Sequence, residues 1–144
     1  MQQTVYSVIA LDIGEVRTGV AIARSVARIA SPLVTLATQD NLTDAVTKLV
    51  REHDVRTVVV GLPRNLQGQS TAQTTFSESI AAKIEEVTGL PIHFMDEAGT
   101  SQKAEAELKA RKKPYEKQDI DMLAATYILE DFMSVHPEVF ADVS

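Results

Sequence analysis

The chain has 144 residues, a formal charge of −6, and 44% hydrophobic and 24% charged side chains. That gives room for one globular core and none for a second domain of useful size. Cysteine is absent, which excludes disulfides, thiolate metal sites and a cysteine nucleophile, and the acidic balance argues against general coating of nucleic acid.

No basic region precedes the first apolar run, and no stretch approaches the roughly 18 apolar residues of a membrane span. The expectation is a cytoplasmic protein with no membrane contact. Residues 5–11 are β-rich and 18–23 form a second such run, joined by a short segment with Gly14 that suits a hairpin. After Ser31-Pro32, residues 33–36 give a third strand, expected at an edge because a proline starts it.

A helix follows, capped by Asp40 or Asn41, with Leu42, Ala45, Val46, Leu49, Val50 and His53 at helical spacing. Residues 57–63 are continuously apolar, as a strand covered on both faces should be. The second helix carries the stripe Ala72, Phe76, Ile80, Ile84 and Val87, and Gly89 and Pro91 end it. A last strand spans 92–95 and runs into Asp96-Glu97. A third helix covers about 101–111, Pro114 breaks it, and a final helix covers about 119–134. The order βββαβαβαα predicts an α/β fold. Its five-stranded mixed sheet has three hairpin-connected strands, then parallel strands, with helices on both faces.

Functional groups gather beyond the carboxyl ends of parallel strands. Asp12 ends the first strand, Arg64 and Asn65 follow the fourth, and Glu97 ends the fifth. In the last helix, Asp121 shares a face with Ala125, Ile128 and Phe132, beside an apolar stripe. Asp12, Glu97 and Asp121 can therefore converge, and converging carboxylates call for a divalent cation. Oxygen ligands without cysteine or clustered histidine suit Mg²⁺ or Mn²⁺. Two such ions roughly 3.5–4 Å apart would activate water and stabilise the leaving oxygen in phosphodiester cleavage.

Four motifs occur in order. They are Leu11-Asp12-Ile13-Gly14 with Arg17 and Gly19-Val20-Ala21; Gly61-Leu62-Pro63 with Asn65 and Gly68; Asp96-Glu97 with Thr100; and Ile120-Asp121-Met122-Leu123-Ala124-Ala125. Together, over about residues 7–132, they resemble the YqgF/RuvX family, which is related to the RuvC Holliday-junction resolvases. The resemblance implies an RNase H-like fold in one nuclease domain spanning 1–144, with its core at about 5–134 and a tail at 135–144. It further implies a metal-dependent nuclease that matures the pre-16S ribosomal RNA 5′ end, and Asp12, Glu97 and Asp121 match the family's three acidic active-site positions. Partners would be structured RNA or branched DNA, with ribosomal particles, for a monomer or homodimer. The chain departs from the family pattern at Glu15, at Arg24 and at Ala98-Gly99, where the family has Arg-Leu.

Asp119 reads as a helix cap and Asp96 as structural. His53, His93 and His136 are scattered, and read as surface or packing residues. Arg17, Arg64, Asn65, Arg111, Lys112 and Lys113 are the nucleic-acid-binding candidates, although basic runs also simply favour helix C-termini. Aromatic residues make up 5% and tryptophan is absent, so backbone and shape readout is expected over base stacking. Three rival readings remain: a junction-resolving DNA endonuclease, a catalytically weak RNA-binding scaffold, and an ATP-binding actin-like module. The last is disfavoured because such proteins clasp nucleotide between two domains.

Overall fold

The computed structural model describes residues 5–63, 67, 69–97 and 99–140. Arg64, Asn65, Gly68 and Ala98 lie outside that set. The elements are β1 (Ser7–Ile13), β2 (Arg17–Arg24), β3 (Ser31–Ala37), α1 (Leu42–Glu52), β4 (Val55–Pro63), α2 (Ala72–Thr88), β5 (Ile92–Glu97), α3 (Thr100–Ala110) and α4 (Lys117–Val135). A 3₁₀ turn follows at Pro137–Phe140. The expected order holds, and so does the mixed sheet.

Strand order is β3-β2-β1-β4-β5. β1, β2 and β3 pair antiparallel, while β4 and β5 run parallel to β1. β3 lies at the edge, and its Pro32 falls where the β2 register shifts between Val20 and Ala21. A bulge spares the ladder the amide that proline lacks.

Alternation along the central strands sorts side chains to two faces. On one face Ile9, Leu11, Val20, Val58 and Val60 meet Leu42 and Val46 of α1 and Ile80 and Ile84 of α2. On the other, Val8, Ala10, Ala21, Ala23 and Val59 meet Ala125, Ile128, Leu129 and Phe132 of α4. The second face is floored by alanines, so α4 lies close to the sheet. Ala104 and Leu108 then seat α3 on Leu123, Ala124 and Tyr127 of α4. None of the described helices is long and apolar enough to cross a membrane.

Several boundaries move, each for a physical reason. β1 runs through Ile13, so Asp12 is its penultimate residue, paired with Gly19. β5 likewise continues through Asp96 and Glu97, because Leu62 and Pro63 of β4 extend the ladder beside them. Glu116 rather than Asp119 is the N-cap of α4; Asp119 instead accepts the Glu116 N–H at 2.8 Å, closing a capping box. Asn41 occupies the α1 N-cap position without a side-chain hydrogen bond. The expected end of the core at 134 is also too early. Phe140 is buried, and the Tyr6 hydroxyl donates to the Val139 carbonyl at 2.9 Å.

Candidate functional site

The carboxyl ends of β1 and β5 bring Asp12 and Glu97 to the α4 side of the sheet, the side Ala10 and Met95 also face. Strand alternation turns Asp96 the other way. α4 delivers Asp121 from the far edge, and three contacts pin its first turns there. The Thr35 hydroxyl donates to the Gln118 carbonyl at 3.0 Å, Arg17 Nε donates to Asp121 Oδ2 at 2.6 Å, and Gly19 lies against the Asp121 backbone. A β-carbon at Gly19 would collide with the Asp121 carbonyl, so glycine there is a spacing requirement. The start of α2 is tied to the same end of the sheet. Gln73 Nε2 donates to the Ile13 carbonyl at 2.6 Å, and the Thr74 hydroxyl donates to the Pro63 carbonyl.

The acids form a chain of mutual influence. Burial first, and Asp121 second, push the Asp12 carboxyl up to about 6. Burial, then a hydrogen bond and charge repulsion from Asp131, push Glu97 up to about 7, with Asp12 adding to the rise and Lys103 opposing it. A hydrogen bond between two carboxyl groups requires one proton, and Glu97 is the group that keeps it. Asp131 is an exposed residue of α4 that the sequence reading did not single out. Its only sequence signal is position, one turn after the buried Ile128, and nothing in periodicity pairs it with Glu97.

Among the described residues no three acidic or histidine side chains already form a metal-holding group. Asp121 is engaged by Arg17 and Glu97 by Asp131, while Asp12 feels both sides. The donor chemistry nevertheless fits a hard divalent cation. The carboxylates are only partly exposed, they disfavour one another's ionisation, and a cation would relieve both costs.

Arg17, expected on a flanking phosphate, is thus on Asp121. Arg111 pairs with Glu107 at 2.5 Å, and Lys112 and Lys113 are exposed in the turn after α3, where Lys112 takes a left-handed φ of 56°. Gly99, with φ of 73°, turns the chain from β5 straight into α3. A leucine there would be strained, because that left-handed conformation favours glycine. His93 packs against Phe132 and His136.

These carboxyls make stability depend on pH with a definite sign. Unfolded, Asp12 and Glu97 lose their protons near 3.8 and 4.5; folded, they hold them to about 6 and about 7. The folded protein binds more protons in this window, so stability falls as pH rises through it. In chelator, the urea midpoint should therefore rise as pH is lowered from 8 to 5. Over that interval the Asp12 contribution is on the order of 1–2 kcal/mol. Adding Mn²⁺ should stabilise far more at pH 8 than at pH 5. Equal metal effects at both values would remove the carboxyls as its ligands.

Residues 6–135 match the family model described as RuvX, Holliday junction resolvase. The chain belongs to that family. Its similarity to RuvX relatives is substantial. It is 36% identical over 138 residues to the "Putative pre-16S rRNA nuclease" of Chloroflexus aggregans, covering 93% of this chain and 97% of that one. It is 35% identical over 133 residues to the protein of the same name from Moorella thermoacetica, covering 88% and 93%. Among solved structures, T. thermophilus RuvC in complex with a Holliday junction substrate superposes with a TM-score of 0.53 at 15% identity, covering 90% of this chain and 95% of that one. That likeness shows the RNase H-like fold.

Proposed function

We propose that this RuvX-family protein is a divalent-metal-dependent nuclease acting on structured nucleic acid, with the pre-16S ribosomal RNA precursor as its substrate. The reading takes the chain as one nuclease domain working in the cytoplasm. The observation that carries it is the pair Asp12 and Glu97, two partly buried carboxyls from different strands, each held well above its ordinary range at the strand ends. Asp121 completes the acidic set from α4. Membership of the family and the names of its relatives support the substrate class.

Asp12, Glu97 and Asp121 would hold Mg²⁺ or Mn²⁺. When bound, the metal supplies an activated water and neutralises charge on the departing oxygen. The chain's own residues do the rest. Asp12 is central, because its carboxyl is the one coupled to both other acids. Arg17 neutralises Asp121 while the acids are unmet, and its guanidinium stands at the edge of the site where a phosphate would arrive. Asp131 holds Glu97 toward α4 in its protonated form. Lys112 and Lys113 carry the backbone of the substrate beyond the site.

The direct test is a cleavage panel of structured pre-rRNA and four-way DNA junction, each with Mn²⁺ and with chelator. Metal-dependent RNA cleavage is the expected result. Metal-independent binding with no cleavage of either substrate would replace this reading with that of a scaffold. The family's description as Holliday junction resolvase favours the junction as the second substrate, and a resolvase needs two sites on a symmetric dimer. Junction cleavage by a dimer, with RNA untouched, would select it.

The basic turn carries its own prediction. Converting both Lys112 and Lys113 to alanine should weaken RNA binding and lower the salt slope by roughly 1–2. Titrations at several salt concentrations check this, and an unchanged slope removes the turn from the binding surface.

A further inference from the structure

The chain around Glu97 is short of cations. Between Arg64 and Lys103 there is a single Lys or Arg, Lys83 in α2. Lys103 lies in the first turn of α3, where its amide donates to the Gly99 carbonyl at 3.0 Å. Its Nζ stands 4.5 Å from the centroid of the Tyr127 ring. That ring is firmly seated. It is 8% exposed and packed among Ala104, Leu108, Leu123 and Ala124.

Tyr127 in turn locates Lys103 relative to the acids. Asp131 lies one helical turn beyond Tyr127 along α4, and Asp131 is the hydrogen-bond partner of Glu97. Lys103 therefore stands on the Glu97 flank of the site, where its charge acts on the Glu97 carboxyl. Arg17 holds the corresponding place on the Asp121 flank.

The two cations differ in what they are free to do. Arg17 is closed on Asp121 at 2.6 Å. Among the described residues no carboxylate closes an ion pair with Lys103: Glu105 is taken by Lys109, and Glu107, one turn on, by Arg111. An aromatic face steadies an ammonium without neutralising it, and leaves its N–H groups for another acceptor. Lys103 is also exposed, so an incoming chain can reach it. A polyanion approaching this site meets carboxylates, and a cation on their flank offsets that repulsion. The acceptor that suits such a point charge is a phosphate.

We propose that Lys103 holds a phosphate of the substrate backbone on the Glu97 side of the site, with the Tyr127 ring as its rest. The proposal rests on the nuclease reading for its substrate and adds to it a phosphate-contacting residue that the sequence reading did not single out.

A lysine on phosphate serves RNA binding and rate, whereas one acting only through Glu97 would serve metal affinity. The test separates the two. Lys103→Gln and Lys103→Arg are compared with the parent in three measurements. These are cleavage of structured pre-rRNA at saturating Mn²⁺, RNA binding in chelator across a salt series, and the Mn²⁺-induced rise in urea midpoint without RNA. Lys103→Gln should lower kcat/KM roughly ten- to hundredfold and reduce the salt slope by about 0.7–0.9, the share of one phosphate. Its Mn²⁺-induced rise should match that of the parent, and Lys103→Arg should keep the parent's slope. Tyr127→Leu, which removes the ring face and keeps apolar bulk, should lower kcat/KM roughly two- to fivefold. For Lys103→Gln, an unchanged slope, unchanged cleavage or a lost Mn²⁺ response would each overturn the proposal. Unchanged cleavage by Tyr127→Leu would remove the ring from it. The two readings fail separately. Parent-level cleavage by Lys103→Gln sinks only the role of Lys103. A parent that binds RNA and cleaves nothing, with a slope that still falls in Lys103→Gln, sinks only the nuclease.

Discussion

Replacing Asp12 with asparagine should lower metal-dependent cleavage by about three orders of magnitude, equivalent to roughly 4 kcal/mol of barrier. The same change should stabilise the protein in chelator at pH 8. Both effects have one cause. Asp12 is a partly buried carboxyl at the strand end, pushed up to about 6 by burial and by Asp121, so above that pH its charge opposes folding. Asparagine keeps the shape and removes the charge, which relieves a penalty on the order of 2–3 kcal/mol. It also removes the group best placed to share a cation with Glu97 and Asp121. Cleavage rates and urea titrations on the same preparation check the pair of outcomes. A variant that cleaves like the parent would end the metal-site reading. A variant that loses cleavage and stability together would mean that Asp12 serves the fold.

Gly19→Ala is expected to have the second largest effect. Asp12 pairs directly with Gly19 across β1 and β2, and a β-carbon at Gly19 would meet the Asp121 carbonyl and the Met122 amide. Those are backbone atoms early in α4, so no rotamer change relieves the clash. The helix itself must back away from the sheet. Overpacking of this kind costs about 1–3 kcal/mol, and here the upper end is expected. Cleavage should also fall, because retreat of α4 carries Asp121 away from Asp12. Gly61→Ala is the control. Its added carbon meets the tip of the Ile128 side chain, at 2.5 Å from Cδ1, and that tip can turn aside. Gly61→Ala should therefore cost less and spare most of the activity. Equal stability of Gly19→Ala and the parent would show that α4 is not seated as described.

Much of this architecture was legible along the chain. Residues 57–63 could be assigned to a covered central strand because every position is apolar or small, and β4 is buried on both faces. In the last helix, Ala125 is buried against the sheet, whereas its neighbour Ala124 is buried against α3. The strand ends were harder to read. Asp12 and Glu97 looked like punctuation after apolar runs, yet each stays inside its strand. Pairing with Gly19 and Pro63 satisfies a backbone whose side chains are polar.

The sequence by itself determined the order of elements and the mixed sheet, and it offered Asp12, Glu97 and Asp121 as candidates to converge. Periodicity and turn chemistry act over a few residues, so they are written locally. The partners of those carboxylates were decided only by the tertiary structure. Arg17 and Asp121 are 104 positions apart and meet because β2 and the start of α4 share one edge. Asp131 reaches Glu97 because α4 crosses the sheet from β2 to β5, carrying its exposed flank over the end of the last strand. Such contacts follow from sheet register and helix crossing, which small residues such as Gly19 permit but no local pattern encodes.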